Sequence, residues 1–324
     1  MNQAIRVYET GGPSVMRLTP ADPIATKPGH ILIRHEAIGV NYIDTYHRSG
    51  LYPVPLPSGI GLEAAGVVEA VGSGVKAFKP GDRVAYGNGP LGAYATHNLV
   101  PAGRASLIPQ DVSYDQAAAI MLKGMTARYL LKETYPVKPG ETILYQAAAG
   151  GVGLLMCQWA RDLGVTLIGT ASTDEKCDLA LSMGATHMIN YTRENVVNRV
   201  REITDGRGVP IVYDGVGKAT FEMSLDCLQP RGLLASFGNA SGPVTGVDLG
   251  ILTQKGSVYV TRPSLAHYVA DDKDLATNAA DVFDAVARGA LSITINQRYR
   301  LHDAIKAHED LETRKTTGAS ILIP

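Results

Sequence analysis

Cysteine is scarce in this sequence, and neither sign of charge is in excess. The three cysteines, Cys157, Cys177 and Cys227, are far apart and show no C-x-x-C spacing. They predict neither a disulfide framework nor a zinc knuckle, and a reduced compartment is the simplest interpretation. The 30 lysine and arginine residues stand against 31 acidic ones, which gives a net charge of −1. Because no basic field is available for nucleic acid or an anionic membrane, small molecules are the expected partners.

Long apolar runs are also missing. No stretch is long and apolar enough to span a bilayer, and residues 1–10 contain no apolar core of a signal peptide. A cytoplasmic location is therefore expected. The length of 324 residues exceeds what one hydrophobic core usually holds, so two domains are predicted.

The pattern of short elements divides the chain into three parts. Residues 1–123 carry β-branched runs between Pro-Gly turns, typical of a compact, partly open β-barrel. Residues 124–261 alternate apolar strands with helical stretches, which predicts an α/β Rossmann fold with a doubly wound parallel sheet. Residues 262–324 are expected to return to the first domain. The predicted strands are 31–35, 66–71, 82–85, 142–146, 165–170, 187–190, 211–214, 233–237, 257–260, 293–300 and 320–323.

A glycine-rich turn joins the first central strand to a helix. Gly150 and Gly151 allow the backbone to approach a pyrophosphate, and Gly153 allows the helix to pack closely on the strand. The helix N-terminus supplies free N–H groups and the positive end of its dipole. Because a strand and a helix flank the turn, the pattern predicts a dinucleotide site rather than a tight turn without a ligand.

The end of the next strand distinguishes NADPH from NADH. NAD sites usually carry an acidic residue there, which bonds the ribose 2′-hydroxyl. Here Ala171 is at that position, and Ser172 and Lys176 offer a hydroxyl and a cation to a 2′-phosphate. Asp174 is interpreted as a first-turn charge of the following helix. The predicted cofactor is NADPH.

With these motifs the chain resembles the medium-chain dehydrogenase/reductase superfamily and, within it, the zinc-free NADPH:quinone oxidoreductases, the group that includes zeta-crystallin. The similarity spans nearly the whole chain. It is most specific between Gly140 and Arg161, and it recurs in 39–53, 59–66 and 314–324. The resemblance implies a GroES-like, partly open β-barrel catalytic domain built from both chain ends and a six-stranded Rossmann domain in the middle. It also implies homodimers and a cofactor in the interdomain cleft.

The resemblance implies a set of cofactor contacts as well. Beside the turn glycines they are Asn41, Thr126, Val152, Ser172, Lys176, Tyr191, Phe237, Asn239, Leu265 and Arg314. Spacing alone does not single out Tyr191 or Arg314.

No metal is expected. Where the superfamily's zinc enzymes hold the catalytic metal with Cys, His and Cys, this chain has Asn41, Leu62 and, near the third position, Lys123. Neither asparagine nor leucine is a plausible zinc ligand, and the scattered His35, His47 and His97 are interpreted as surface or core residues. Alcohol oxidation needs a Lewis acid to hold the alkoxide. An enzyme without one is expected to reduce quinones or conjugated enones, which accept hydride readily.

The candidate catalytic residues, Asn41, Asp44, Tyr46 and Tyr52, lie in a segment that is predicted to pass from a strand into a loop. The resemblance implies that this segment lies beside the nicotinamide. Tyr46 and Tyr52 would line the acceptor pocket or serve only in packing. Asn41 would bond the acceptor oxygen or orient the nicotinamide. Asp44 is either catalytic or a turn residue that bonds backbone amides. No strong general acid is visible, so the final proton is expected from solvent.

Two alternatives to quinone reduction stay open. An NADPH-dependent 2-alkenal or enone reductase would need a proton donor, for which Tyr46 or Tyr52 is available. A non-catalytic NADPH-binding protein, structural or RNA-binding, would bind the cofactor without turnover, although the near-neutral charge argues against RNA.

Overall fold

A computed structural model of the chain describes residues 2–324. The strands are β1 (Gln3–Val7), β2 (Met16–Pro20), β3 (His30–Val40), β4 (Ser58–Gly59), β5 (Ala64–Val71), β6 (Arg83–Tyr86), β7 (His97–Pro101), β8 (Ser106–Leu107), β9 (Thr142–Tyr145), β10 (Thr166–Ala171), β11 (His187–Asn190), β12 (Val209–Asp214), β13 (Leu228–Ser236), β14 (Tyr259–Thr261), β15 (Ile295–Arg300) and β16 (Ala319–Ile323). The α-helices are α1 (Tyr42–Ser49), α2 (Tyr114–Tyr129), α3 (Gly151–Asp162), α4 (Asp174–Ser182), α5 (Val196–Ile203), α6 (Phe221–Asp226), α7 (Gly250–Gln254), α8 (Leu265–Tyr268), α9 (Asp272–Ala287) and α10 (Ala304–Glu312). None of the helices described combines the length and hydropathy that crossing a bilayer requires.

The chain divides into two compact units. The barrel unit comprises the chain up to Met125 together with Val269–Ala287 and Ile293–Pro324. The parallel-sheet unit comprises Thr126–Tyr268 and the short segment Arg288–Ser292.

Strand β3 organises the barrel unit. One edge of β3 pairs with β5, with register shifts that bend the strand, and the other edge pairs first with β7 and then with β16. The main sheet has the order β15-β16-β3-β5-β6-β8, and β2-β1-β4 form a smaller sheet. The bending and the two-sided pairing of β3 give the predicted partly open barrel. Its core is apolar and includes Ile31, Ile33, Ile38, Val84 and Val100.

The parallel-sheet unit has the strand order β11-β10-β9-β12-β13-β14, with every pair parallel. This is the doubly wound order in which the first strand lies centrally and the chain changes direction between β9 and β12, and it confirms the predicted Rossmann fold. Ligands of such sheets bind beyond the carboxyl ends of the strands at this change of direction.

Helix α3 is buried more completely than its sequence pattern predicts. The predicted apolar face contains Leu155, Met156 and Trp159, yet Leu154 and Gln158 are also buried. The amide of Gln158 donates to the carbonyl oxygen of Ser292 and accepts from the Ser292 N–H, at 3.1 and 2.7 Å. A segment distant in sequence therefore covers the polar side of the helix.

Candidate active site

The glycine turn begins where β9 ends and leads into α3, whose N-cap is Gly150. Because Gly150 has no side chain, no capping oxygen satisfies the first N–H groups of the helix, which leaves them for an anion. A Cβ on Gly153 would lie 2.5 Å from the carbonyl oxygen of Ala148, so the helix packs as closely here as the sequence predicts. The left-handed residue of the turn is Ala147, with φ 62°, and not a glycine.

A buried row of hydrogen bonds, which the sequence did not reveal, fixes this turn to three strand ends. The Ala147 N–H donates to Thr170 Oγ1 at 3.2 Å, and the Thr170 hydroxyl donates to Gln146 Oε1 at 2.7 Å. Gln146 Nε2 donates to the Ser224 hydroxyl, which donates in turn to Asp214 Oδ2 at 2.9 Å. Polar residues at the ends of β9, β10 and β12 are the sequence signal that could have indicated the row.

The predicted 2′-phosphate residues lie near the end of β10. Ala171 is buried there and offers no carboxylate, while Ser172 and Lys176 are half-buried. The Tyr191 N–H donates to the Ala171 carbonyl oxygen at 3.1 Å, which brings the half-exposed Tyr191 to the same corner.

Asp174, the acidic residue closest to this corner in sequence, is engaged elsewhere. It opens α4, accepts from Asn190 Nδ2 at 2.6 Å and pairs with Arg193. The helix cap itself is Thr173, whose hydroxyl accepts from the Lys176 N–H. Asp174 is thus a first-turn charge with two partners, as the sequence interpretation has it.

The other predicted cofactor residues are divided between the units. In the parallel-sheet unit, Phe237 follows β13, and its N–H donates to the Asp214 carbonyl oxygen at 2.8 Å. Asn239 is half-buried in the same loop, and Thr126 and Leu265 are buried. Arg314 belongs to the barrel unit, is exposed and has a φ of 61°.

The segment predicted as a loop after β3 is a helix. Helix α1 begins after its N-cap, Asn41, and ends at Gly50, which is left-handed with φ 83°. The Asn41 N–H donates to Asp44 Oδ2 at 2.8 Å, and the Asp44 N–H donates to the Asn41 carbonyl oxygen at 3.0 Å. An acceptor side chain three residues after an Asn cap, followed by a terminal glycine, is a helix signature, so the loop prediction was wrong.

Asp44 is inaccessible to solvent, with 0% of its surface exposed. Its Oδ2 accepts from the Asn41 N–H and from the Tyr94 hydroxyl, the latter at 2.9 Å. Burial raises the pKa of the Asp44 carboxyl to about 7, against the lowering effect of these two hydrogen bonds and of Lys123. Of the two roles left open by the sequence, the contacts match the bonding of a backbone amide.

The side chain of Asn41 is held by a second buried carboxylate, Glu63. Asn41 Nδ2 donates to Glu63 Oε2 at 2.8 Å, and Lys123 Nζ donates to the same oxygen at 3.1 Å. The Leu122 N–H donates to Oε1 at 2.6 Å. Asn41 is at one of the positions that hold zinc in the resembling enzymes, and Lys123 is near another. Both side chains therefore donate to the same carboxylate. Because a carboxylate only accepts, the Asn41 amide turns Oδ1, an acceptor, away from Glu63.

Tyr46 and Tyr52 pack against each other. Their ring centroids are 5.2 Å apart at an interplanar angle of 65°, an edge-to-face contact, and the Tyr52 N–H donates to the Tyr46 carbonyl oxygen. Tyr46 is buried and Tyr52 half-buried.

The three scattered histidines have separate surroundings. His35 is buried between the Ala95 carbonyl oxygen and the Tyr86 hydroxyl, and burial lowers its pKa to about 4. His97 is beside Glu69, and His47 is against the Tyr52 ring. Within residues 2–324, no group of three or more His, Cys, Asp or Glu side chains is arranged to hold a metal ion.

Comparison with known proteins follows the two units. The family described as alcohol dehydrogenase GroES-like domain matches residues 27–131, and the family described as zinc-binding dehydrogenase matches residues 151–288. The chain is 54% identical over 325 residues to a quinone oxidoreductase of Pseudomonas aeruginosa, with 100% of both chains covered. It is 44% identical to a 2-haloacrylate reductase of a Burkholderia species, over 100% of this chain and 99% of the relative. The structure of Escherichia coli quinone oxidoreductase complexed with NADPH is similar to it with a TM-score of 0.98 and 51% identity, over 99% of this chain and 100% of that one.

Proposed function

Because the chain belongs to the quinone oxidoreductases of the medium-chain dehydrogenase/reductase superfamily, we propose how its own residues carry out the family's reaction. The protein is an oxidoreductase that uses NADPH and reduces quinones. The observation that carries the residue assignment is the buried cluster of Asn41, Glu63 and Lys123, which replaces a metal site with a paired carboxylate.

The residues of the parallel-sheet unit fit NADPH. The uncapped N-terminus of α3 offers N–H groups and a positive dipole end to the pyrophosphate. Ser172 and Lys176 offer a hydroxyl and a cation to the 2′-phosphate, and Asp174 is kept from that corner by Asn190 and Arg193. When bound, NADPH supplies the hydride. Gly150, Gly151, Val152 and Gly153 form the pyrophosphate turn in this proposal.

Asn41 orients the nicotinamide. Its Nδ2 is directed at Glu63, so the atom it turns outward is Oδ1, which can accept from a carboxamide N–H. Of the two roles predicted for Asn41, this one agrees with the outward acceptor, whereas a quinone oxygen needs a donor. Glu63 fixes the amide, and Lys123 neutralises Glu63.

Tyr46 and Tyr52 line the acceptor pocket in this proposal. Their edge-to-face contact fixes the two rings against each other, and the half-buried Tyr52 is the more accessible of the two. The side chains beside Asn41 are an amide, an ammonium and a single carboxylate, a set that does not suit zinc, and a quinone, which delocalises the developing charge itself, is the natural acceptor for such a site. The final proton comes from solvent.

The homodimer that the resemblance implies is supported by the edge of the parallel sheet. Among the residues that the structure describes, strand β14 lies at the edge of the parallel sheet and pairs only with β13. Tyr259 is 62% exposed on it, and Leu249 in the preceding turn is 75% exposed. An exposed strand edge with apolar side chains is a surface that a second copy can pair with. Sedimentation velocity of the Val260→Lys variant tests this dimer. If the dimer is joined at β14, the variant sediments as a monomer, whereas a dimer joined elsewhere stays intact.

A cytoplasmic location is supported by the three cysteines. All are buried and unpaired, and burial raises the pKa of Cys157 and of Cys227 to about 12. Three thiols that form no disulfide suit a reducing compartment.

The test of function follows nicotinamide absorbance after treatment with a chelator. NADPH and NADH are compared with 1,4-benzoquinone and with a 2-alkenal as acceptors. We expect fast oxidation of NADPH by the quinone, slow oxidation of NADH and no effect of the chelator. Preference for the alkenal would move the assignment to enone reduction, the alternative that the likeness to a 2-haloacrylate reductase makes worth testing. Loss of activity on chelation would contradict the metal-free mechanism, and binding without turnover would indicate a non-catalytic protein.

A further inference from the structure

A buried row of side chains connects α10 to the start of α1. It consists of Arg48, His308, Tyr94 and Asp44, none more than 2% exposed. The distances are 3.0 Å from Arg48 Nη1 to His308 Nδ1, 3.0 Å from His308 Nε2 to Tyr94 Oη, and 2.9 Å from Tyr94 Oη to Asp44 Oδ2. The mechanism so far uses none of the first three residues.

The chemistry of the end groups fixes the direction of each bond. Arginine can only donate, so His308 Nδ1 accepts. Burial and the Arg48 charge lower the pKa of His308 to about 3, so the ring is neutral and carries its hydrogen on Nε2. Nε2 therefore donates to Tyr94, and the Tyr94 hydroxyl is left to donate to Asp44. The whole row delivers a donor to the Asp44 carboxylate.

The donor end of the row is anchored. Arg48 makes a two-bond contact with Glu312, Nη1 to Oε2 at 3.0 Å and Nη2 to Oε1 at 2.7 Å. Its Nε donates to the Gly11 carbonyl oxygen at 3.1 Å. Because the guanidinium is held on both sides, the His308 ring cannot turn without losing the Arg48 bond.

Tyr94 also contacts the segment that leads to Glu63. Gly61 is left-handed, and a Cβ on it would lie 2.4 Å from Cδ1 of the Tyr94 ring. The Tyr94 N–H donates to the carbonyl oxygen of Ile60 at 2.9 Å. Tyr94 thus bonds the carboxylate that holds the backbone of Asn41 and packs against the segment that precedes Glu63 in the chain.

We propose that Tyr94 and His308 are positioning residues for Asn41 and act through the Asp44 carboxylate. The inference rests on the nicotinamide-orienting role proposed for Asn41. The ionised carboxylate accepts from the Asn41 N–H and the Tyr94 hydroxyl and so fixes the first turn of α1. The protonated carboxyl is a weaker acceptor, so the backbone of Asn41 is then held less firmly and its side chain depends on the Glu63 bond alone.

The row makes activity depend on pH. The groups that face Asp44 are the Asn41 N–H, the Tyr94 hydroxyl, and the side chains of Lys123 and Glu63. With a carboxyl pKa of about 7, the ionised form is lost as pH falls through neutrality. Removing the Tyr94 hydroxyl removes a bond that favours the ionised form, so this loss moves to higher pH.

The test compares Tyr94→Phe with Tyr86→Phe. Both tyrosines are 0% exposed in the barrel unit, and both hydroxyls bond a histidine Nε2, but Tyr86 is joined to His35 and Asn98 instead of Asp44. Three quantities are measured: the acid side of the pH profile of kcat/KM for NADPH, the NADPH Kd from cofactor fluorescence, and the unfolding midpoint. We expect Tyr94→Phe to move the acid side upward by about one pH unit and to weaken NADPH binding at pH 6 by about tenfold. Tyr86→Phe lowers the midpoint without moving the profile.

A second pair of variants keeps the test open if Tyr94→Phe does not fold. His308→Gln keeps an N–H for Tyr94, whereas His308→Leu removes it, so the pH profile of the Gln variant lies nearer that of the parent. The positioning role is overturned if Tyr94→Phe and Tyr86→Phe have the same pH profile of kcat/KM. It is also overturned if His308→Gln and His308→Leu have the same pH profile. The proposed function is tested by separate results. It is contradicted if the parent protein does not reduce quinones with NADPH, or if an Asn41→Ala variant keeps the kinetics and the NADPH Kd of the parent.

Discussion

Lys123 and Glu63 form an ion pair inside the barrel unit, with Nζ 3.1 Å from Oε2 and side-chain exposures of 7% and 0%. Removing the lysine leaves a buried carboxylate whose charge is not balanced, which costs more than a surface pair contributes. We expect Lys123→Met to lower the free energy of unfolding by about 3–5 kcal/mol, measured by urea denaturation. The control, Lys306→Met, breaks the pair between Lys306, which is 63% exposed, and Asp310, which is 13% exposed, and should change the free energy of unfolding by at most about 1 kcal/mol. Equal losses in the two variants would show that the pair is not isolated from solvent.

Cofactor preference is expected to depend on Lys176. A charge-assisted bond to a phosphate contributes about 1.5–3 kcal/mol, so Lys176→Ala should raise the KM for NADPH roughly 10- to 100-fold. The KM for NADH should not change, because NADH has no 2′-phosphate. The control is Lys138→Ala, an exposed lysine of the same unit. An equal rise in KM for NADPH and for NADH would mean that Lys176 contacts a part of the cofactor that both molecules contain.

Two small residues of the glycine turn should respond oppositely to exchange. Ala147 is left-handed, a conformation that glycine adopts without strain, so Ala147→Gly should raise the free energy of unfolding by up to about 1 kcal/mol. Gly153→Ala places a methyl group 2.5 Å from the Ala148 carbonyl oxygen, so it should lower both stability and NADPH affinity. Denaturation and fluorescence titration measure the two effects. If Gly153→Ala binds NADPH normally, the helix can move away from the strand at no loss to the site.

Stability and activity should have opposite pH dependences where Asp44 titrates. The folded-state pKa of Asp44 is raised from 3.8 to about 7, so the folded protein takes up the proton more readily than the unfolded chain. The stabilisation from this group is complete below pH 3.8 and is lost as pH rises to about 7, whereas the proposed activity grows over the upper part of that interval. Chemical denaturation at several pH values checks this, and Asp44→Asn should reduce the pH dependence of the free energy of unfolding between pH 3.8 and about 7. If that pH dependence is unchanged in the variant, other groups cause it.

The fold could be predicted from sequence to the extent that it depends on local pattern. Apolar runs such as residues 211–213, bounded by helical stretches, are typical of strands buried on both faces of a parallel sheet, and they predicted the architecture of the central part. Helix α1 was missed because the eight residues from Tyr42 to Ser49 are mostly polar and follow a strand directly, although the Asn41 and Asp44 caps and Gly50 marked both ends.

The candidate site could be predicted only in part, for a different reason. Ser172 and Lys176 carry chemistry that their own segment makes visible, whereas Asn41 was implied by the resemblance. Tyr94 is 50 residues from Asp44 in the chain, and His308 is 264 residues from it. Their importance arises from hydrogen-bond direction inside the folded barrel, and no spacing rule encodes that direction.

The pairing of β16 with β3 has a consequence for the order in which the protein is made. Residues 320–322 in β16 complete the edge of the strand that ends just before Asn41. Because β16 follows the parallel-sheet unit in the chain, almost all of that unit is translated before β16, and it can begin to fold while the barrel stays open. The strand that presents Asn41 therefore gains this neighbour only after the nucleotide-binding half has been made, so a nascent chain arrested before Ala319 would hold a nucleotide-binding half and an incomplete catalytic edge.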